Sequence, residues 1–259
     1  MGNLSFNIVY KSAKTYPAPA HTFAMSVFDY FDQIQIINLP HRTDRRREME
    51  DELHRIGLKN DPRVHFFSAI RPDHPARFSS IGARGVYESQ TTILREAAAA
   101  NQSVLILEDD CEFVTDASSY KMPAHWDIFY GGHVAARPDD LVNSDIIGAH
   151  MMGFSRDGVK LVNKYLEQLD YDGMHPPIDA AYVWCRRANP EVPTHFAVPP
   201  LANQRSSRSD IAQLKWFDRL PLIRTMAKSL RTVLRKNRAW SDFSQSRRGK
   251  LSVFEQNNI

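Results

Sequence analysis

Three consecutive acids, Glu108, Asp109 and Asp110, follow directly on the apolar run Val104–Leu107. A short unbroken apolar run suits a strand buried on both faces. The carboxylates then stand at its carboxyl end. Crowded like charges repel, so a site that keeps them ionised usually holds a cation. Oxygen donors favour Mg²⁺ or Mn²⁺, either of which could bridge to phosphate oxygens. The plainer alternative is an acidic turn that caps the next helix.

Four further groups could do chemistry. In INLPHRTDRRREM, Arg42 and Arg45 follow an apolar run, within reach of a phosphate or of Asp44. Arg45, Arg46 and Arg47 at a helix start oppose its dipole, which favours a local anion or acid partner. In IGARGVYES, Gly82 and Gly85 read as a turn before a helix. Backbone amides there could approach a phosphate or sugar; equally, the glycines could serve close packing of helix on strand. Asp179 is the single acid of PIDAAYVW, near a helix start. Desolvation would raise its pKa and suit it to general-base work, while the alternative is an acid stabilised by the helix dipole. PPLANQRSSRSDI reads as an ordered binding loop in which Gln204, Arg205, Ser209 and Asp210 mix donors and acceptors, or as a hinge with Ser209 capping a later helix.

Alternating elements must position these groups. Strands are expected at 34–39, 64–70, 104–107, 126–132 (ending at the Gly131–Gly132 pair), 145–154 and 194–199. Between them lie a helix capped by Thr43 or Asp44 and ended by Gly57, a helix following the Gly82–Gly85 turn, a Ser155-capped helix, and a helix with Pro near its start at 176–188. This alternation predicts an α/β fold with a mostly parallel sheet flanked by helices. Ligands of such sheets bind beyond the carboxyl ends of the strands. His41, His133, His150 and His195 read as structural, with His195 the candidate for an additional metal ligand; Cys111 reads as a small buried hydrophobe.

Composition excludes several classes. With 259 residues, 42% hydrophobic and 24% charged, the chain is long and apolar enough for one globular domain. It has no apolar run of membrane-spanning length. The two cysteines, Cys111 and Cys185, exclude a disulfide scaffold and a cysteine-built zinc site. No signal peptide is legible, so a reducing cytoplasm is the expected location.

Taken together, INLPHRTDRR, GARGVYESQ, VLILEDDCEF, PID and QRSSRSDI resemble the motifs of glycosyltransferase family 25, the lipooligosaccharide-biosynthesis family that includes collagen galactosyltransferases. They span roughly residues 34–211, in the family's order. The resemblance implies a GT-A-like (Rossmann-like) fold, and inverting transfer of galactose or a related hexose from a UDP-sugar to a glycan or lipid-linked glycan. By that likeness Asn38, Arg42 and Arg45 would help form the nucleotide pocket. Glu108 to Asp110 would be the acidic motif for ribose and metal, with Asp110 the first choice among the metal ligands Asp109 and Asp110. Asp179 would deprotonate the acceptor hydroxyl. The family often carries Cys and His where this chain has Val86 and Gln90. A non-catalytic nucleotide-sugar or glycan-binding protein is therefore the alternative.

The expected organisation is an extension over 1–30, the catalytic body over 31–211 and a basic helical tail over 212–259. Residues 203–259 carry 13 Lys and Arg against 4 Asp and Glu. After Pro221, Leu222, Ile223, Met226, Leu230, Val233 and Leu234 share one helical face, with basic residues around the remainder. Such a helix either docks on the body or lies on an anionic membrane surface. Little aromatic interleaving argues against nucleic acid. If the tail binds membrane, the full chain co-sediments with anionic vesicles and truncation after Pro221 abolishes this; binding unchanged by truncation rules it out.

Overall fold

The computed structural model describes residues 25–205. Its organising strand is β3 (Val104–Glu108), whose side chains alternate between two cores. Val104 and Ile106 pack into one, Leu105 and Leu107 into the other. Both faces are therefore covered, which is why this segment reads as continuously apolar.

Parallel to β3 lies β1 (Gln33–Asn38), and parallel to β1 lies β2 (Val64–Ser68). On the other side β6 (Ile146–Phe154) runs antiparallel to β3 and to β5 (Ile128–Ala135), and β7 (Thr194–Phe196) pairs in parallel with β5. The sheet order is β2-β1-β3-β6-β5-β7, and β6 alone among these strands opposes the rest. The mostly parallel α/β sheet is the expected architecture. The helices α2 (Ile81–Ala100), α3 (Arg156–Glu167) and α4 (Ile178–Ala188) supply side chains to the first core. On the opposite face lie α1 (Thr43–Arg55) and a 3-10 turn at Val27–Tyr30. Val27, Phe28 and Phe31 are buried there. No helix among the described residues is long and apolar enough to cross a membrane.

Several local expectations are corrected. Strand β5 does not stop at Gly131–Gly132 but continues through register shifts to Ala135. Neither Thr43 nor Asp44 caps α1: Arg42 holds the cap position without a side-chain bond, and Asp44 falls in the first turn, where it complements the dipole. The segment 199–205 is not all loop. Ala202–Gln204 forms β8, paired antiparallel with β4 (Cys111–Phe113). Three-residue strands lack enough alternation to be read from pattern alone. The expected tail at 212–259 lies outside the described residues, as do Ser209 and Asp210.

The turn expected at Gly82 and Gly85 is also helix. Ser80 caps α2 by accepting the Ala83 N–H at 3.0 Å, so both glycines lie inside it. Gly82 keeps a first-turn position, where backbone N–H groups lack helical partners, but Gly85 is one turn deeper. A Cβ on Gly85 would stand 2.4 Å from the Ile70 carbonyl oxygen. Ser89 ties the same contact together, accepting the Ile70 N–H at 2.9 Å and donating to Gly85 O at 2.7 Å. Close packing is what Gly85 serves. Gly85→Ala is expected to lower stability by about 1–3 kcal/mol through this overpacking, read from denaturant unfolding.

Candidate active site

The carboxyl ends of the parallel strands β1 and β3 lie side by side, with Ile37 opposite Glu108. Asn38 therefore ends β1 next to the acids that end β3. The turn Asp109–Asp110 leads into β4. From α1, Glu52 accepts the Phe113 N–H at 2.9 Å and Arg55 donates to Phe113 O at 2.6 Å, so the helix is joined to β4.

Asp109 is 7% exposed and both of its oxygens are taken by protein donors. Arg45 donates to Oδ1 at 2.7 Å and Asn38 to Oδ2 at 2.8 Å. Arg45 also stands 3.6 Å from Asp110 Oδ2. The adverse arginine at the start of α1 thus has its acid partner across the sheet edge. Arg46 similarly pairs with Glu50 at 2.9 Å, and Arg47 reaches Thr43 O at 3.3 Å. Arg42 pairs with Asp44 at 2.8 Å, while its own carbonyl accepts from Asn38 at 3.3 Å.

Strand β8 brings the last described residues over the acids. Gln204 donates to Glu108 Oε2 at 2.8 Å. The Arg205 backbone N–H donates to Asp110 O at 2.8 Å, its guanidinium donates to Asp109 O at 2.9 Å, and it stands 3.4 Å from Glu48. Seven sequence-predicted residues (Asn38, Arg45, Glu108, Asp109, Asp110, Gln204 and Arg205) therefore meet at one edge. Gly85 does not join them by its chemistry, and Gly82 lies at the start of α2.

The electrostatics follow from burial and crowding. Burial, then the charges of Asp110 and Asp179, push the Glu108 carboxyl up to about 8. Burial raises Asp110 too, against the lowering influence of Arg45. The Oδ1 atom of Asp110 is buried without a protein partner. Asp179 stands in the first turn of α4, accepting the Ala180 N–H at 2.9 Å, and burial pushes it up to about 6. Its charge adds, after burial and Asp110, to the rise of Glu108.

Two of the histidines that read as structural stand in different surroundings. His195 is removed from the acids, bonding Tyr120 at 2.7 Å and stacking on Phe129. His150 is the one near them: Met151 pairs with Leu107, which places His150 one step beyond, level with Glu108. It is 2% exposed, with Nε2 2.7 Å from Ala202 O and Nδ1 lacking a protein partner. Burial lowers its pKa, opposed by the charge of Asp110. A Cβ on Gly132 would come 2.6 Å from His150 Nε2, so the glycine makes room for this ring. Only the antiparallel direction of β6 reveals His150. Cys111 is fully buried as expected, its thiol donating to His150 O at 2.9 Å. Among the described residues no three His, Cys, Asp or Glu side chains are arranged to hold a metal ion by themselves.

Because Glu108 titrates higher in the folded chain than its ordinary 4.5, it binds more proton folded than unfolded. Its contribution to stability is complete below about 4.5 and is lost as pH rises towards 8. Relative to Glu108→Gln, the native chain is therefore expected to lose stability progressively across that window, as measured by urea unfolding at a series of pH values. A pH-independent difference would contradict the shift.

No family model matches the sequence, and no curated protein matches it. Among solved structures, similarity is found to a glycosyltransferase involved in glycosylation of the major capsid of PBCV-1, with 12% identity, TM-score 0.42, and coverage of 68% of this chain and 94% of that one. A Drosophila β-1,4-galactosyltransferase 7 mutant in complex with manganese, UDP-galactose and xylobiose shares 9% identity, with TM-score 0.41 and coverage of 68% and 66%. A nucleoside-diphosphate-sugar pyrophosphorylase from Vibrio cholerae shares 13%, with TM-score 0.32 and coverage of 63% and 72%.

Proposed function

We propose that the chain is a GT-A-like glycosyltransferase that transfers a hexose, galactose or a relative, from a UDP-sugar to a glycan or glycolipid acceptor. The observation that carries this reading is the pair Glu108 and Asp110 at the carboxyl end of β3, with an Asp110 oxygen that accepts no protein hydrogen bond and with Asp179 in electrostatic range of Glu108. The order of the motifs along the chain supports it independently.

The donor set fits a hard divalent cation, Mn²⁺ or Mg²⁺. Asp109 is engaged by Arg45 and Asn38, so Asp110, with Glu108 beside it, is the carboxylate that would hold the ion. Magnesium-type sites commonly use one or two carboxylates and complete their shell with water and substrate phosphate, so a three-residue cage is not required. Such an ion supplies charge stabilisation to the departing diphosphate.

The protein's own groups do the remainder. Asp109, clamped by Arg45 and Asn38, fixes the turn that aims Asp110. Gln204 orients Glu108, which in this reading contacts the donor's ribose. Asp179, with a pKa of about 6, is ionised near neutral pH and basic enough to take the proton of an acceptor hydroxyl as it attacks the anomeric carbon. Attack from the face opposite the departing UDP inverts that centre.

A thermal-shift titration tests the reading, since a ligand of the folded state raises the melting temperature. UDP-galactose is expected to stabilise the chain more strongly with Mn²⁺ than without it. Asp110→Asn is expected to abolish the metal-dependent part. Metal-dependent UDP binding without release of UDP from any UDP-hexose would instead establish the non-catalytic binding alternative. A metal-dependent shift retained in Asp110→Asn would remove this residue from the metal role.

A further inference from the structure

Gln90 stands where the chain departs from the family pattern, and the chemistry above leaves it without a task. Its side chain is 1% exposed on α2. Tyr182, on α4, donates its hydroxyl to Gln90 Oε1 at 2.6 Å, joining the two helices. Tyr182 follows Asp179 by three residues, so the two project from neighbouring positions on the same side of α4. Asp179 in turn accepts the Ala180 N–H of its own helix, so the direction of its carboxylate follows the rotation of that first turn.

The surroundings are poorly suited to a purely packing role. Gln90 Nε2 and the Tyr87 hydroxyl are buried without protein hydrogen-bond partners, and the buried Tyr130 hydroxyl lies beside Arg186. Both tyrosines lie within electrostatic range of Tyr182. Half-satisfied buried polar groups weaken a fold, and apolar replacement of both members of such a pair is often neutral or stabilising.

We propose that Gln90 and Tyr182 form a positioning pair, whose hydrogen bond sets the rotation of α4 and thereby the direction in which Asp179 presents its carboxylate. The proposal rests on Asp179 being the base in the reading above. Neither residue touches the substrate; they act through Asp179.

The test is steady-state hydrolysis of UDP-galactose with Mn²⁺, water standing in for the acceptor, alongside thermal melting. The double variant Gln90→Leu/Tyr182→Phe is expected to melt no lower than the native chain while kcat falls at least about tenfold with KM for UDP-galactose unchanged. Each single variant should lose nearly as much kcat as the double, because the pair acts as a unit. Gln90→His, whose ring nitrogen can accept the Tyr182 hydroxyl, should restore most of the rate. A double variant with native kcat, or a loss of kcat that merely follows a fall in melting temperature, overturns the proposal. Asp179→Asn separates the two layers. If it abolishes hydrolysis while the double variant keeps the native rate, the pair alone is refuted. If Asp179→Asn keeps the native rate, the base assignment is refuted and the pair with it.

Discussion

Three carboxylates at the end of a strand buried on both faces create an electrostatic problem that much of this structure answers. The apolar half of β3 demands burial, and the acidic end cannot follow it into low dielectric without partners. Arg45 and Asn38 resolve this for Asp109, the most enclosed of the three. One buried ion pair of this kind is weak evidence for net stability, because desolvation of both charges offsets their attraction. What it does secure is geometry: the guanidinium of Arg45 and the amide of Asn38 tie α1 and β1 to the acid turn.

The other two acids are treated differently. Glu108 has a single neutral donor in Gln204, and Asp110 keeps a buried oxygen without a protein partner. Burial raises the pKa of both, and neighbouring carboxylates add to it. The sheet edge thus engages both oxygens of Asp109 and leaves one Asp110 oxygen without a protein hydrogen bond. The pairing of β4 with β8 completes it, since this two-stranded ribbon carries Gln204 and Arg205 back over the acids.

Local pattern made most of the scaffold legible. β3 and β6 are long or apolar enough to be read directly, and Ser155 caps α3 as its sequence suggests. Errors fall where a local signal has two meanings. Gly85 signals a turn in isolation, yet serves a helix that must lie against the Ile70 carbonyl. β8 is too short for its alternation to register, and its existence depends on β4 offering an edge. His150 looks like any core histidine until the antiparallel pairing of β6 sets it level with Glu108.

The sequence alone determined the α/β layering, the placing of Glu108–Asp110 at a strand's carboxyl end, and the isolation of Asp179 in an apolar helix start. These depend on periodicity and on neighbours close in the chain. The tertiary structure decided which groups neutralise one another. Arg45 meets Asp109 across 64 residues, Gln204 meets Glu108 across 96 and Tyr182 meets Gln90 across 92. No spacing rule encodes such pairs, because each partner is chosen by the register and direction of strands that must first bury their apolar faces.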